Sequence, residues 1–203
     1  MLAYVFWHRP RAGADIAAYE SAQVAFHRSL AGNPPVGMRS SSCFRVARVP
    51  WLQVADGQPA SGAADYEDWY LLDDFTALGV LNEAAVGRGH RTSHDRAARA
   101  AGEGAGGVYC LVEGEPRTSW EQGAPAPATW VSRPPGSGRF AIGELLGDGM
   151  DPHEASLWRR QLVLGPAPEF CLQAPEVPAG VAAGRLPPGW GAVTLAREAL
   201  FGG

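Results

Sequence analysis

The fold prediction for this chain starts from the stretch LAYVFWH, residues 2–8. It is rich in residues that favour β-strands and is followed by a Pro/Gly turn, so it predicts a strand. Its side chains fall on two faces, one beginning at Leu2 and the other at Ala3, and both faces are largely apolar. A strand with one face in water would alternate apolar and polar residues. We therefore expect this strand to be covered on both sides.

A helix is predicted directly after this strand. Asp15 is a suitable N-cap and Gly32 follows the last helical residue, which places the helix between Ile16 and about Ala31. Its apolar side chains recur with the 3.6-residue period that buries one helical face on a sheet.

Three more strands and two helices complete an N-terminal unit. The strands are predicted over residues 38–50, 66–72 and 108–112. Asp73 or Asp74 caps a helix that begins near Phe75, and Ser93 caps a short helix rich in Ala and Arg. The order βαββαβ is the pattern of a ferredoxin-like unit of the α+β class.

Composition divides the chain into two units. Residues 114–128 are rich in Pro, Gly and Ala, which is typical of a linker, so we predict units over 1–113 and 129–203. In the second unit, Asp151 is a suitable N-cap, followed by Pro152 at the first helical position and Glu154 at the third. These residues predict a helix that also contains Ala155, Trp158 and Leu162. Strands are predicted at TWVSR, EFCLQA and WGAVTLAREAL.

The two units share a succession of features that indicates a partial internal repeat. VFWHRPRAG at residues 5–13 has an echo in TWVSRPPGSG at residues 129–138. In both units a helix, a Gly/Pro-rich loop and the pattern C-x5-V-P follow, at residues 43–50 and 171–178. A second, related sheet packed on the first would bury the apolar reverse face of the first strand, at about 25 cal/mol per Å².

The element order and the doubly apolar first strand resemble the dimeric α+β barrel group of ferredoxin-like proteins. In that group two units, from two chains or fused in one, pack sheet against sheet. The resemblance implies a ferredoxin-like unit plus a truncated second unit, with the sheets face to face in a barrel-like arrangement. It also implies a pocket between sheet and helices, and it leaves a homodimer open. The group includes cofactor-independent monooxygenases, haem-degrading enzymes and isomerase-like proteins, so the resemblance does not select an activity.

Charge and composition exclude several classes of function. The net charge of -4 arises from 21 acidic and 17 basic residues without a long run of either sign, so nucleic acid is not an expected partner. All basic residues are Arg, and the absence of Lys excludes a Schiff-base lysine, a phosphate-loop lysine and a Ser-Lys catalytic pair.

The cysteines and the hydropathy indicate the cellular compartment of the protein. Cys43, Cys110 and Cys171 lie in apolar, strand-like runs without a CxxC motif, which is typical of a reduced compartment. No apolar run approaches 18 residues, and the N-terminal residues lack a basic leader. We therefore expect a cytoplasmic protein without a membrane partner.

Polar residues at positions expected to be buried indicate the candidate site. Gln23 and His27 share the inward stripe of the first helix with Tyr19, and His8 and Arg9 end the strand that this helix covers. His27 or His8 is the expected general base, and Arg9 would hold an anionic substrate or an enolate. Gln23 and Tyr19 would contact the substrate. Aromatic walls are expected from Trp7, Trp69 and Tyr70.

We expect neither a metal nor a nucleotide cofactor. His90 and His94 are four residues apart, but the predicted cap at Ser93 leaves His90 in a loop, and no Glu lies between them as in HExxH. The glycines of GEGAGG precede a strand, so they offer no helix N-terminus for phosphate.

Three functions remain open from the sequence. The first is a cofactor-independent enzyme that acts on a small aromatic or acidic metabolite with a histidine base. The second is a non-catalytic binding module that uses the same pocket. The third is an interaction protein whose partner contacts Trp120, Trp130 and Trp190.

Overall fold

The computed structural model describes residues 1–52, 64–87, 89–116, 125–134, 155–163 and 167–202. The N-terminal part contains β1 (Leu2–Pro10), α1 (Ile16–Gly32), β2 (Met38–Val46), β3 (Asp65–Leu72), α2 (Phe75–Val86), α3 (Arg91–Ala100) and β4 (Ala101–Gly114). The C-terminal part contains β5 (Ala128–Ser132), β6 (Ser156–Val163), β7 (Phe170–Gln173), α4 (Ala179–Ala182), β8 (Gly191–Leu195) and β9 (Arg197–Gly202).

All nine of these strands form one antiparallel sheet, in the order β8-β5-β7-β6-β4-β1-β3-β2-β9. The sheet curls into a half-barrel. Its two edge strands, β8 and β9, are separated in the chain by Ala196 alone. Leu195 and Arg197 are therefore at most roughly 7 Å apart, so the opposite edges of the sheet meet at this end. A connection of one residue can join the two edge strands only because the sheet is curled.

The prediction of two ferredoxin-like units with sheets packed face to face is wrong. The N-terminal strands and helices occur in the predicted order, but β4 pairs edge to edge with β6, with Val108 opposite Leu162. The C-terminal strands therefore extend the first sheet instead of covering it. Strands from residues 1–113 and from 129–203 share this sheet, and the proposed domain division stays a prediction.

The N-cap predictions were confirmed for α1 and α2 and wrong for α3. Asp15 and Asp74 cap α1 and α2, accepting hydrogen bonds from Ala18 N at 3.1 Å and Ala77 N at 3.0 Å. The predicted cap Ser93 is wrong, because α3 begins one turn earlier and His90 occupies the N-cap position.

The helix predicted from Asp151 is also wrong. Ser156–Val163 form β6, which pairs with β4 and β7, while the capping sequence at 151–154 lies outside the described residues. Pairing on both sides of this strand outweighs a local helical preference, which is worth only a few tenths of a kcal/mol per residue.

The two faces of the sheet are covered in different ways. We call the inner face the one that carries Val5 and Trp7, which pack with side chains from strands across the half-barrel. The outer face of β1, β3 and β4 carries Tyr4 and is covered by α1, α2 and α3. Ala3, Val5 and Trp7 of the inner face are all 0% exposed, and Leu2 and His8 of the outer face are 7% and 1% exposed, which confirms that the first strand is covered on both sides. No helix among the described residues is both long enough and apolar enough to span a membrane.

A buried carboxylate holds the inner face together. Glu67 accepts hydrogen bonds from three indole nitrogens, those of Trp7 at 2.9 Å, Trp69 at 2.8 Å and Trp130 at 3.1 Å. It also pairs with Arg197 of the edge strand β9, whose Nε lies 2.8 Å from Oε1. Glu67 thus ties β1, β3, β5 and β9 to one point. Because Trp130 is buried here, it is not part of a partner surface, while Trp120 lies outside the described residues.

Candidate functional site

A cavity of about 550 Å³ lies between the outer face of the sheet and the helices α1, α2 and α3. Its walls are mostly apolar and include Tyr4, Phe6, Phe26, Leu78, Leu81 and Val108. His8, Gln23 and Asp68 line one end of the cavity, which we call the polar end, and the polar residues Asn82 and His94 also line the cavity. An apolar cavity with a few convergent polar groups is the usual form of a small-molecule site.

Strand alternation brings these polar groups to the same face. On β1 the even-numbered residues Phe6 and His8 point outward, as do Asp68 and Tyr70 on the neighbouring strand β3. Phe6 is directly opposite Asp68 in the antiparallel register, so His8 lies diagonal to Asp68, within reach of a long side chain.

Asp68 is the centre of the polar end and is 2% exposed. Its carboxylate lies 3.1 Å from His8 Nε2 and 3.2 Å from His27 Nε2, and the Tyr70 hydroxyl donates to it at 3.2 Å. The Cys43 sulfur lies within 4.8 Å of this carboxylate. Burial by itself raises the pKa of Asp68, but His8 and His27 beside it lower the pKa to well below its ordinary value.

The contacts of His8 determine which ring nitrogen carries the proton. A carboxylate only accepts hydrogen bonds, so Nε2 donates to Asp68 and the neutral ring keeps its lone pair at Nδ1. Nδ1 is hydrogen-bonded to the Tyr19 hydroxyl, which itself also contacts the Gln23 side chain. Burial, followed by the charge of Asp68, raises the pKa of Tyr19, so this phenol is a proton donor to His8.

The structure places five of the predicted site residues around Asp68. His8, Gln23 and Tyr70 line the cavity itself. His27 lies behind Tyr70, 0% exposed, with the two rings stacked at 5.2 Å, and its Nδ1 has no hydrogen-bond partner among the described residues. Tyr19 contacts His8 through its hydroxyl and lines a second depression between α1 and α3.

Three predicted site residues lie elsewhere. Arg9 donates two hydrogen bonds of 2.9 Å to Asp65 and one of 3.0 Å to Glu103. Trp7 and Trp69 point to the inner face, where they donate to Glu67. These side chains do not reach the cavity, because successive residues of a strand point to opposite faces.

Sequence reasoning missed Asp68, although a signal was present. The predicted strand YEDWYLL contains two consecutive carboxylates in a run that is otherwise aromatic and apolar. Buried carboxylates are rare unless they are paired, so each of these side chains needed a partner on its own face of the sheet. This requirement predicts a polar partner for each carboxylate, and His8 of β1 was a suitable partner for Asp68.

Within the described ranges, His27, Cys43 and Asp68 form a group that could hold a metal ion, since one ligand atom of each lies within 4.8 Å of the others. The carboxylate already receives hydrogen bonds from His8 and Tyr70, which accounts for its burial without a metal. Burial and the charge of Asp68 raise the pKa of the Cys43 thiol, which opposes the thiolate that a metal requires. We assign no metal to this group.

The pair His90 and His94 is divided between separate partners. His90 bridges Ser29 Oγ at 2.7 Å and the Asn33 carbonyl at 3.0 Å, which fastens the start of α3 to the end of α1. His94 lies 3.3 Å from Asp95.

No family model matches the chain, and no curated protein does either. Among solved structures, the chain is similar to the crystal structure of an anthrone oxidase-like protein, with a TM-score of 0.53 at 10% sequence identity. The match covers 98% of this chain and 93% of the other. At this identity the likeness shows a shared fold and carries no activity across.

Proposed function

We propose that the cavity binds a small aromatic ligand with an acidic group and that His8 removes a proton from it, without a metal or a nucleotide cofactor. The observation that carries this proposal is the His8–Asp68 pair at the polar end of a mostly apolar cavity. A histidine held by a buried carboxylate is a recurring arrangement for general base catalysis.

The proposed proton transfer uses the orientation of His8. Asp68 holds the Nε2 hydrogen, which leaves Nδ1 as the basic atom. The acidic C–H or O–H of the ligand replaces the Tyr19 hydroxyl at Nδ1 and gives up its proton there. The products are an imidazolium stabilised by Asp68 and an enolate or phenolate. Gln23, which lines the same end of the cavity, donates a hydrogen bond to that anion, the role expected of Arg9 from the sequence.

Anthrone is a suitable first probe for this reaction. The structural neighbour is described as anthrone oxidase-like, which is a statement about that protein. Anthrone itself is a flat, three-ring ketone whose methylene protons are acidic because their loss gives an aromatic enolate. It therefore combines the apolar body and the acidic group that the proposal requires.

The test is the exchange of the anthrone methylene protons with D2O, followed by NMR under nitrogen so that no oxidation intervenes. We expect the protein to accelerate exchange, and His8→Gln to reduce the acceleration by about 10²- to 10⁴-fold. His90→Gln is the matched control, because this histidine fastens two helices outside the cavity, and it should exchange anthrone as the unaltered protein does. Equal exchange with and without His8 would contradict the proposal.

A second function, non-catalytic binding in the same cavity, is favoured by one observation. Both ring nitrogens of His8 are engaged, by Tyr19 and by Asp68. A protein that only binds would show a rise in melting temperature with anthrone, by mass action, while the exchange rate of the methylene protons stays that of buffer.

The cytoplasmic location, a homodimer and the exclusion of nucleic acid and membrane partners belong to the proposal as well. The cytoplasmic location is supported by Cys43, Cys110 and Cys171, which are free thiols, as is usual in a reducing compartment. Sedimentation of the purified protein tests the homodimer.

A further inference from the structure

The floor of the cavity is made of aromatic rings that lie against bare backbone. Tyr4, Phe6 and His8 of β1 all line the cavity, and their rings follow one another with centroids 6.3 and 5.5 Å apart. The corresponding interplanar angles are 28° and 24°, so the three rings form a nearly continuous surface.

Two glycines of the neighbouring strand β4 lie beneath these rings. A Cβ atom placed on Gly104 would overlap Cζ of Phe6 and lie 2.9 Å from its Cε2. A Cβ atom on Gly106 would lie 3.0 Å from Cε2 and 3.1 Å from Oη of Tyr4. These separations are shorter than ordinary van der Waals contact, so each ring occupies the space where a side chain would be.

The register shows how the rings reach these glycines. Gly106 is opposite Phe6 and Gly104 is opposite His8. The Phe6 ring nevertheless lies over Gly104, and the Tyr4 ring over Gly106, so each ring leans along the strand by one outward-facing position. A glycine is needed at both positions for this lean, because aromatic rings pack down onto a strand where no Cβ intervenes.

We propose that Gly104 and Gly106 determine the size of ligand that the cavity accepts, because they let Phe6 and Tyr4 lie flat and lower the cavity floor. This inference rests on the proposed function only in taking the cavity as the ligand site. Alanine at either position would lift one ring into the cavity, which excludes a ligand of several fused rings before it excludes a single ring.

The chain provides a matched control in the residue that follows Gly106. Gly107 lies on the same strand but faces inward, where a Cβ would lie 2.8 Å from Cε2 of Tyr109. Gly107→Ala therefore crowds an aromatic ring in the same way as Gly104→Ala, but on the opposite face of the sheet. Any general loss of stability caused by crowding should appear in both variants.

The experiment measures the binding of phenol, 2-naphthol and anthrone to the full chain and to Gly104→Ala, Gly106→Ala and Gly107→Ala. We expect Gly104→Ala and Gly106→Ala to weaken anthrone binding by about tenfold or more relative to phenol. Gly107→Ala should leave the ratio of anthrone to phenol affinity unchanged. An unchanged ratio in Gly104→Ala, or the same selective loss in Gly107→Ala, would overturn the inference.

Two further measurements separate this inference from the proposed function. If the unaltered protein binds none of the probes, the proposed function fails, and the crystal structure of Gly104→Ala still tests the floor through the position of the Phe6 ring. A Phe6 ring that stays in place would then overturn the inference. If Gly104→Ala does not fold, the double variant Gly104→Ala with Phe6→Leu should fold and recover anthrone binding, and failure to recover it counts against the role of Gly104.

Discussion

Two neighbouring residues of β3 carry buried carboxylates that face opposite sides of the sheet. Glu67, on the inner face, is held by Arg197 and three indole N–H groups, none of which changes its charge near neutral pH. Asp68, on the outer face, is held by two imidazoles and borders a cavity. Histidine is the side chain whose ordinary charge change falls near neutrality. The two carboxylates differ less in burial than in whether their partners can exchange a proton with a ligand.

The largest expected effect is on stability at the inner carboxylate. Glu67→Ala leaves the Arg197 guanidinium buried and unpaired, so we expect the free energy of unfolding to fall by about 3–5 kcal/mol. Urea denaturation measures this loss. The double variant Glu67→Ala with Arg197→Met should recover part of the lost stability. A loss below about 1 kcal/mol for Glu67→Ala alone would contradict a structural role for this pair.

The next effect is on proton transfer at the outer carboxylate. Asp68→Asn keeps the size of the side chain but removes the charge that stabilises an imidazolium at His8, so anthrone exchange should fall by about 10²- to 10⁴-fold. Its stability should fall by less than that of Glu67→Ala. If the two variants instead lose stability equally and exchange stays intact, the contrast between the two faces is broken.

Acid titration separates the two carboxylates further. The pKa of Asp68 is lowered by folding, because His8 and His27 outweigh the effect of burial. The unfolded chain therefore takes up a proton at Asp68 as the pH falls below about 4, while the folded chain does not. The stability contributed by Asp68 is complete above that pH and is lost as the pH falls towards the lower, folded pKa.

Urea denaturation between pH 6 and pH 3 measures this dependence. We expect a steeper loss of unfolding free energy below about pH 4 in the unaltered protein than in Asp68→Asn. Parallel curves for the two proteins would mean that Asp68 does not have a lowered pKa in the fold.

The smallest expected effect concerns one thiol in each region. Burial raises the pKa of Cys43 and the charge of Asp68 raises it further, whereas for Cys171 burial is opposed in part by Arg197. Both thiols should resist iodoacetamide in the native protein, as mass spectrometry of the peptides would show. Asp68→Asn should increase the modification of Cys43 slightly and leave Cys171 as an internal control. Equal modification of both would indicate global unfolding of the variant.

The candidate site was predictable in part from residue spacing. The helical period placed Gln23 and His27 on the stripe that faces the sheet, and the strand period placed His8 at the end of β1. The structure brings all three to the polar end of the cavity region. Asp68 was missed because the sequence does not show which face of β3 is the outer one. Arg9 was assigned to the site although strand alternation already places it on the face opposite to His8.

The fold was less predictable than its elements. The capping residues Asp15 and Asp74 and the doubly covered first strand follow from local chemistry, which acts within one turn or one strand. The pairing of β4 with β6, and the meeting of both sheet edges at Ala196, join residues that are far apart in the chain. Nothing within either strand specifies that partner.

What the order of residues established is therefore the succession of strands and helices in the N-terminal part, the need to cover both faces of β1, and a group of polar side chains that had to find partners. Packing of the whole chain settled that the second half extends the sheet, that Glu67 closes it and that Asp68 borders the cavity. These outcomes differ because the interactions behind them act over different distances along the chain. Capping and periodicity act over a few residues, whereas strand pairing and burial of charge depend on which distant segment lies alongside.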